Sequence, residues 1–289
     1  MADDDGARAV LPPGMAMSAV TIASLTRRDG YARVVLEAAE LAGLRPRGAA
    51  PVFKVFIPEH PGADPVPPSF DAKYLPVWPE GAPRPTVRSY TALEFSATGG
   101  TIEFLAYDHG HGGWWLDRFG PGDTVGVIGF KHEVLVDDGT ETVVAAGDAS
   151  AAGAVAALAR RLPPRVRLYA AGPEAAWPDG LLDGRPDAEL VAAPVDEHGF
   201  PAVTWARLAP HAGSSPVLWL GGERSSVARL RSEAVDAGVD PVRITSMPYW
   251  LAGRTRDEFD AELSARYREA AARGQDLGDP LLVARIELG

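Results

Sequence analysis

Arg88, Ser89, Tyr90 and Thr91 set a planar cation, an aromatic ring and hydroxyls in four consecutive residues of a β-prone run. Successive side chains of a strand alternate faces. Arg88 and Tyr90 therefore share one face, while Thr91 points the other way and offers hydroxyl or backbone contacts to a ring edge. These groups suit a flavin nucleotide, with Arg88 for phosphate and Tyr90 for a planar ring. Tyr and Thr also pack ordinary strands, so the tetrapeptide gains its meaning from the other motifs of the chain and their order.

Downstream lies His109-Gly110-His111-Gly112-Gly113-Trp114-Trp115. Backbone amides of Gly112 and Gly113 can bind an anion as a nest. Trp114 and Trp115 either cover the mouth of a barrel or stack on a cofactor or substrate, and Trp114, Trp115 and Trp250 are the candidates for a substrate pocket. His109 and His111 have the spacing to share a strand face, but the glycines around them indicate a turn and no third ligand stands nearby, so no metal site is expected. Asp148 follows an apolar run and is placed to cap the helix after it, at an N-terminus that also suits a nucleotide phosphate. Glu223 can cap the next helix in the same way. No residue presents itself as a catalytic acid, base or nucleophile.

The elements that must position these groups fall into two sets. The chain has 289 residues with 46% apolar content, enough for two domains with cores of their own. Short β-rich runs at Val20 to Ser24, Ala32 to Leu36, Val52 to Ile57, Val87 to Thr91, Ile102 to Tyr107 and Thr124 to Ile128, separated by Pro/Gly turns, predict a small antiparallel barrel. Pro58 to Pro85, with nine prolines, reads as a long loop. Beyond residue 140 strands alternate with helices: Thr142 to Ala146, a helix from Ser150 to Leu162, Val166 to Ala171, Glu189 to Ala193, Val217 to Leu220, a helix from Ser225 to Ala237, and Val242 to Ser246. That alternation predicts a parallel sheet with crossover helices. Thr255 and Glu258 form a capping box for a last helix ending at Gly274. The expected domains are residues 16–138 and 139–289, after a tail, residues 1–15, of disordered composition.

Composition removes several functions. The chain has no cysteine, so disulfides, thiolate metal sites and iron-sulfur clusters are excluded, and redox chemistry must come from a bound cofactor. A net charge of -11 disfavours nucleic acid and anionic membrane as partners. No run of about 18 apolar residues occurs, and the acidic N-terminus is unlike a signal region, so the protein is expected in the cytoplasm.

A barrel followed by a nucleotide-binding α/β domain is the order of ferredoxin-reductase-like enzymes. The chain resembles one branch of them, the siderophore-interacting protein family of FAD-carrying, NAD(P)H-dependent ferric-siderophore reductases. The resemblance runs from about Ser18 to Gly253 and rests on ordered features. They are Leu25-Thr26-Arg27, Phe53 to Pro58, Arg88 to Thr91, His109-Gly110 with Trp115, Pro121-Gly122-Asp123, Ala146-Gly147-Asp148, Leu218 to Glu223, and Tyr249-Trp250-x-x-Gly253. It implies a six-stranded flavin-binding barrel, then a Rossmann-like NAD(P)-binding domain with a C-terminal helix. It also implies that Arg88, Ser89, Tyr90 and Thr91 hold the flavin, and that His109, Gly110, Gly112, Gly113 and Trp115 line the FAD pyrophosphate. Gly147, Asp148 and Glu223 would serve NADPH or NADH, with Tyr249 and Trp250 at the flavin or in packing. Arg224 and Arg229 are candidates for a 2′-phosphate or plain surface residues.

The chain departs from the family pattern in places. Leu93 replaces a second arginine, a Gly-Pro-Ala-Ser cradle is missing after His109-Gly110, the turn after Asp148 lacks a proline, and Leu251-Ala252 stand where basic residues are common. Three readings therefore stand side by side. The first is a reductase passing electrons from NAD(P)H through FAD to a ferric siderophore. The second is a redox-neutral enzyme of the same fold, for example a cyclase in natural-product biosynthesis with FAD structural or absent. The third is a binding module for a siderophore or other partner.

Overall fold

The computed structural model describes residues 17–42, 46, 48–70, 76–96, 98–108, 113–131, 134–173 and 177–289. Residues 1–15, and His109, Gly110, His111 and Gly112, lie outside the described residues, and the expectations placed on them lie outside with them. The chain divides into two compact units.

The first unit contains β1 (Ser18–Arg28), β2 (Tyr31–Glu37), β3 (Val52–Ile57), β4 (Ser69–Phe70), β5 (Pro76–Val77), β6 (Thr86–Ser96), β7 (Thr101–Tyr107) and β8 (Thr124–Lys131). Six of these close into a barrel in the order β1-β2-β7-β6-β3-β8, as the sequence predicts. Each pairing in the barrel is antiparallel. Alternation sets the inward face: along β7, Ile102, Phe104 and Ala106 are buried while their neighbours are half-buried. Asp29-Gly30 joins β1 to β2 with φ of 53° and 78°, the positive-φ pair that a two-residue hairpin of native twist requires. The core is aromatic, with the Phe53 and Phe104 rings edge-on at 5.4 Å. β4 and β5 pair inside the proline-rich segment read as a plain loop. Strands of two residues leave no period-two signal in the sequence.

The second unit contains β9 (Thr142–Gly147), α1 (Ala152–Arg161), β10 (Arg167–Pro173), β11 (Glu189–Ala193), α2 (Trp205–Ala212), β12 (Val217–Glu223), α3 (Arg224–Asp236), β13 (Ile244–Trp250), α4 (Arg256–Ala272) and α5 (Pro280–Leu288). Residues 48–51 belong to it, where the Ala49 amide donates to the Val134 carbonyl. Its sheet has the order β11-β10-β9-β12-β13 and is parallel throughout. β9 and β12 are buried along their whole lengths, as strands covered on both faces must be.

Three details differ from the sequence reading. Val242 is 58% exposed in a 3-10 turn that Asp240 caps, so the last strand begins at Ile244 and carries Tyr249 and Trp250 as its final residues. α2 has no clear signature in the sequence because Pro210 interrupts its helical pattern, although Trp205, Leu208 and Ala212 bury one face. The capping box at Thr255 and Glu258 forms as expected, but the chain continues past Gly274 into α5. Ala270 packs with Leu282 and Ile286, and the Tyr267 hydroxyl donates to Glu287 at 2.7 Å. Among the described residues no helix is long and apolar enough to cross a membrane.

Candidate functional site

In the barrel, β6 pairs with β3 so that Tyr90 lies opposite Phe53 and Arg88 opposite Val55. Arg88, Tyr90 and Thr91 are all buried, at 8%, 9% and 5% exposure, while Ser89 is half-buried. One guanidinium nitrogen of Arg88 donates to the Val87 carbonyl at 2.8 Å. The Tyr90 ring lies 4.5 Å from the Phe104 ring, and its hydroxyl accepts a 2.7 Å hydrogen bond from Trp115 Nε1.

Trp115, expected beside the pyrophosphate and in a substrate pocket, is instead wholly buried in the barrel core. An indole in an apolar core needs an acceptor for its N–H, and Tyr90 supplies it. Trp114 behaves differently: it is half-buried, with the Arg118 guanidinium 5.8 Å from its ring centroid. Of the two adjacent indoles, Trp114 alone faces outward enough to meet a ligand.

In the parallel sheet, β10 and β11 lie on one side of β9, and β12 and β13 on the other. The switch point of an open α/β sheet, where ligands bind beyond the carboxyl ends of strands, is therefore between β9 and β12. Gly147 and Gly221 pair there, and Asp148 and Glu223 stand within two residues of them. Asp148 is 3% exposed, and its carboxylate is fully engaged by the protein. Oδ1 accepts from the Ser150 amide at 2.8 Å and from the Ser150 hydroxyl; Oδ2 accepts from the Glu223 amide and from Trp250 Nε1, both at 2.9 Å. Gly222 has φ +140°, and a side chain there would collide with Asp148 Oδ2. Burial pushes the Asp148 carboxyl pKa up, and the bonds from Ser150, Trp250 and Glu223 oppose that rise. The three N–H partners can only donate, so the geometry is that of a carboxylate acceptor.

Glu223 is buried completely. Oε2 accepts from the Ser226 amide at 2.9 Å, capping α3, and Oε1 accepts from the Ala252 amide at 3.2 Å. Of the readings the sequence allows, capping is the one seen for both Asp148 and Glu223 among the described residues. The two carboxylates tie together the ends of β9, β12 and β13. Tyr249 and Trp250 are half-buried at the rim, with Tyr249 6.4 Å from the Trp219 ring. Arg229 pairs with Glu233 at 2.8 Å and Arg224 with Glu262 at 3.1 Å, so both guanidinia already have acidic partners.

Two contributors escaped the sequence reading. Ser226 donates its hydroxyl to Asp196 at 2.8 Å, extending the buried polar network to the loop after β11. Trp177 donates Nε1 to the Asp148 carbonyl at 2.9 Å and covers Gly172. Neither belongs to a motif; a glycine near the end of β10, five residues before a tryptophan, is the signal that the sequence carries for Trp177.

A closed antiparallel barrel carrying an Arg-x-Tyr-Thr strand, followed by a parallel sheet with a glycine-lined switch point, defines a two-unit flavin and nucleotide architecture. Residues 22–133 match the siderophore-interacting FAD-binding domain, and residues 140–253 match the siderophore-interacting protein domain. The chain belongs to the siderophore-interacting protein family. It is 29% identical over 240 residues to the NADPH-dependent ferric-chelate reductase of Escherichia coli (strain K12), covering 77% of this chain and 88% of that protein. The siderophore-interacting protein SipS from Aeromonas hydrophila has the same fold, with a TM-score of 0.65 at 19% identity over 90% of this chain and 100% of that one. A siderophore utilization protein from T. fusca aligns with a TM-score of 0.62 at 25% identity, covering 83% of this chain and 94% of that one. None of these likenesses points to a redox-neutral enzyme.

Proposed function

We propose that the protein is an FAD-dependent reductase that passes electrons from NADPH or NADH to the iron of a ferric siderophore. The observation that carries this reading is the position of Arg88 to Thr91 on a strand of the closed barrel, inside the matched FAD-binding domain. The donor set there fits an anionic flavin nucleotide in its chemistry: a guanidinium for phosphate, with hydroxyls on Ser89 and Thr91 for ring or ribityl oxygens. Arg88, Ser89 and Thr91 would hold FAD from β6, joined by backbone around Gly113 and by Trp114. Tyr90, held by Trp115 and Phe104 in the barrel core, fixes β6 behind those groups.

The switch point between β9 and β12 fits a dinucleotide by topology, with Gly147 opening the turn and Tyr249 and Trp250 on its rim. Asp148 and Glu223 fix the positions of those strand ends and contribute shape. Bound there, FAD would supply the redox chemistry between a two-electron donor and one-electron acceptors, so that one donor molecule would reduce two ferric ions and leave one proton. The protein's share is placement, exclusion of water and electrostatics. The siderophore is the small-molecule substrate, and iron is its cargo. Dependence on NADPH or NADH fits a cytoplasmic site of action.

The test is turnover of a ferric siderophore by the FAD-loaded protein, with a ferrous-specific chelator to trap the product. Ferrous iron formed in proportion to donor consumed, at two to one, supports the proposal. Donor oxidation with no ferrous product would reject the siderophore as substrate.

A further inference from the structure

At the switch-point crevice two of the backbone amides that could anchor a dinucleotide's phosphates already have side-chain partners. Asp148 occupies the Ser150 amide ahead of α1, and Glu223 occupies the Ser226 amide of α3. Two buried carboxylates at that point also disfavour further negative charge. Trp177 offers a neutral means of holding the donor. A Cβ built on Gly172 would sit 2.5 to 2.6 Å from three consecutive atoms of the Trp177 six-membered ring, so one indole face lies flat over the end of β10. The ring's N–H is fixed to the Asp148 carbonyl at 2.9 Å. A face contact and an edge hydrogen bond together immobilise the ring plane, and Trp177 as a whole is half-buried. β10 neighbours β9 in the sheet, so this platform stands at the carboxyl ends of the strands, beside the switch point.

We propose that Trp177 is the specificity-determining platform for the adenine ring of the electron donor, which stacks on its indole. A preorganised aromatic ring binds a planar base with little loss of freedom. The inference rests on the reading that NADPH or NADH is the donor.

The experiment compares NADH and NADPH with reduced nicotinamide mononucleotide, which lacks the adenosine half, on the FAD-loaded protein. The readout is the ratio of the mononucleotide's KM to the dinucleotide's. Trp177→Ala should lower that ratio about tenfold, the size of one lost base stack, with Trp177→Phe close to wild type. Gly172→Ala, which displaces the ring without removing it, should lower it as well. An unchanged ratio in both Trp177→Ala and Gly172→Ala overturns the proposal. Adenosine monophosphate, titrated against the intrinsic tryptophan fluorescence, gives a second readout that needs no turnover. Quenching in the wild type that Trp177→Ala abolishes supports the platform even if no donor reduces the flavin, a result that would instead remove the reductase reading. Equal adenosine monophosphate affinity in wild type and Trp177→Ala overturns the platform alone.

Discussion

Trp250 Nε1 donates to Asp148 Oδ2 at 2.9 Å across 102 positions of sequence. The bond joins the last residue of β13 to the residue after β9, two strands that are not neighbours in the sheet, because β12 lies between them. The Glu223 amide, at the end of β12, donates to the same oxygen at 2.9 Å. One buried carboxylate therefore sets the relative height of three strand ends at the switch point.

Removing that carboxylate leaves several buried donors without an acceptor. Asp148→Ala should destabilise the second unit by about 3 kcal/mol, the cost of breaking a buried charged network from one side. Trp250→Phe removes one charge-assisted bond and should cost about 2 kcal/mol. The double variant should cost less than the sum, since both act on one network. Urea unfolding of the four proteins of this cycle measures the coupling; strict additivity would show that the bond does not link the strand ends.

The Tyr90–Trp115 hydrogen bond makes a second stability prediction, in the barrel. Tyr90→Phe strands the Trp115 N–H in an apolar core and should cost about 1–3 kcal/mol. Trp115→Phe removes the donor together with much ring volume and should cost at least as much, since it also opens a cavity. If Trp115 lined a ligand pocket instead, its replacement would alter flavin affinity while leaving thermal unfolding of the apo protein unchanged.

Arg88 is the test of flavin placement. Arg88→Ala should weaken FAD binding by roughly 10- to 100-fold, the value of a hydrogen bond to a charged group. Arg88→Lys should recover part of this, because the charge survives and the planar fork does not. Retained flavin absorbance after gel filtration is the measurement, and wild-type retention in both variants would move the flavin away from β6.

At the C-terminus, the hydrogen bond from Arg224 holds the Glu262 carboxyl below the usual range, and bonds from Thr255 do the same for Glu258. Folded-state pKa values below the unfolded ones add stability above about pH 4.3, the ordinary glutamate value, and that stability is lost as pH falls through the lowered values. Protection factors of the α4 amides, which remove the intrinsic pH dependence of exchange, should therefore fall below that pH, and Glu262→Gln should flatten the dependence. Protection factors that rise on acidification would contradict the assignment.

The barrel was legible because its inward positions alternate and its turns carry Gly, Pro or Asp-Gly signals, as Ile102, Phe104 and Ala106 on β7 illustrate. The sheet was legible from strand-helix alternation, and its start signals at Asp148, Glu223 and Thr255 each formed a cap. Those same caps explain the limit of the reading at the site. A carboxylate after a strand looks identical in sequence whether it faces a ligand or closes on the protein's own amides. For Asp148 and Glu223 the decision was made by donors far along the chain, Trp250 and Ala252, that no local pattern relates to them. Trp115 illustrates the same limit, since its burial depends on Tyr90, 25 positions earlier. Trp177 left no periodic signal at all.

The absorbance spectrum of the FAD-loaded protein, recorded without oxygen before and after adding NADPH or NADH and then a ferric siderophore, bears most directly on the reductase reading. Flavin bands that bleach with the donor and return with the siderophore are the expected result. Bands that stay oxidised in the presence of either donor, or a protein that does not retain FAD, would contradict it.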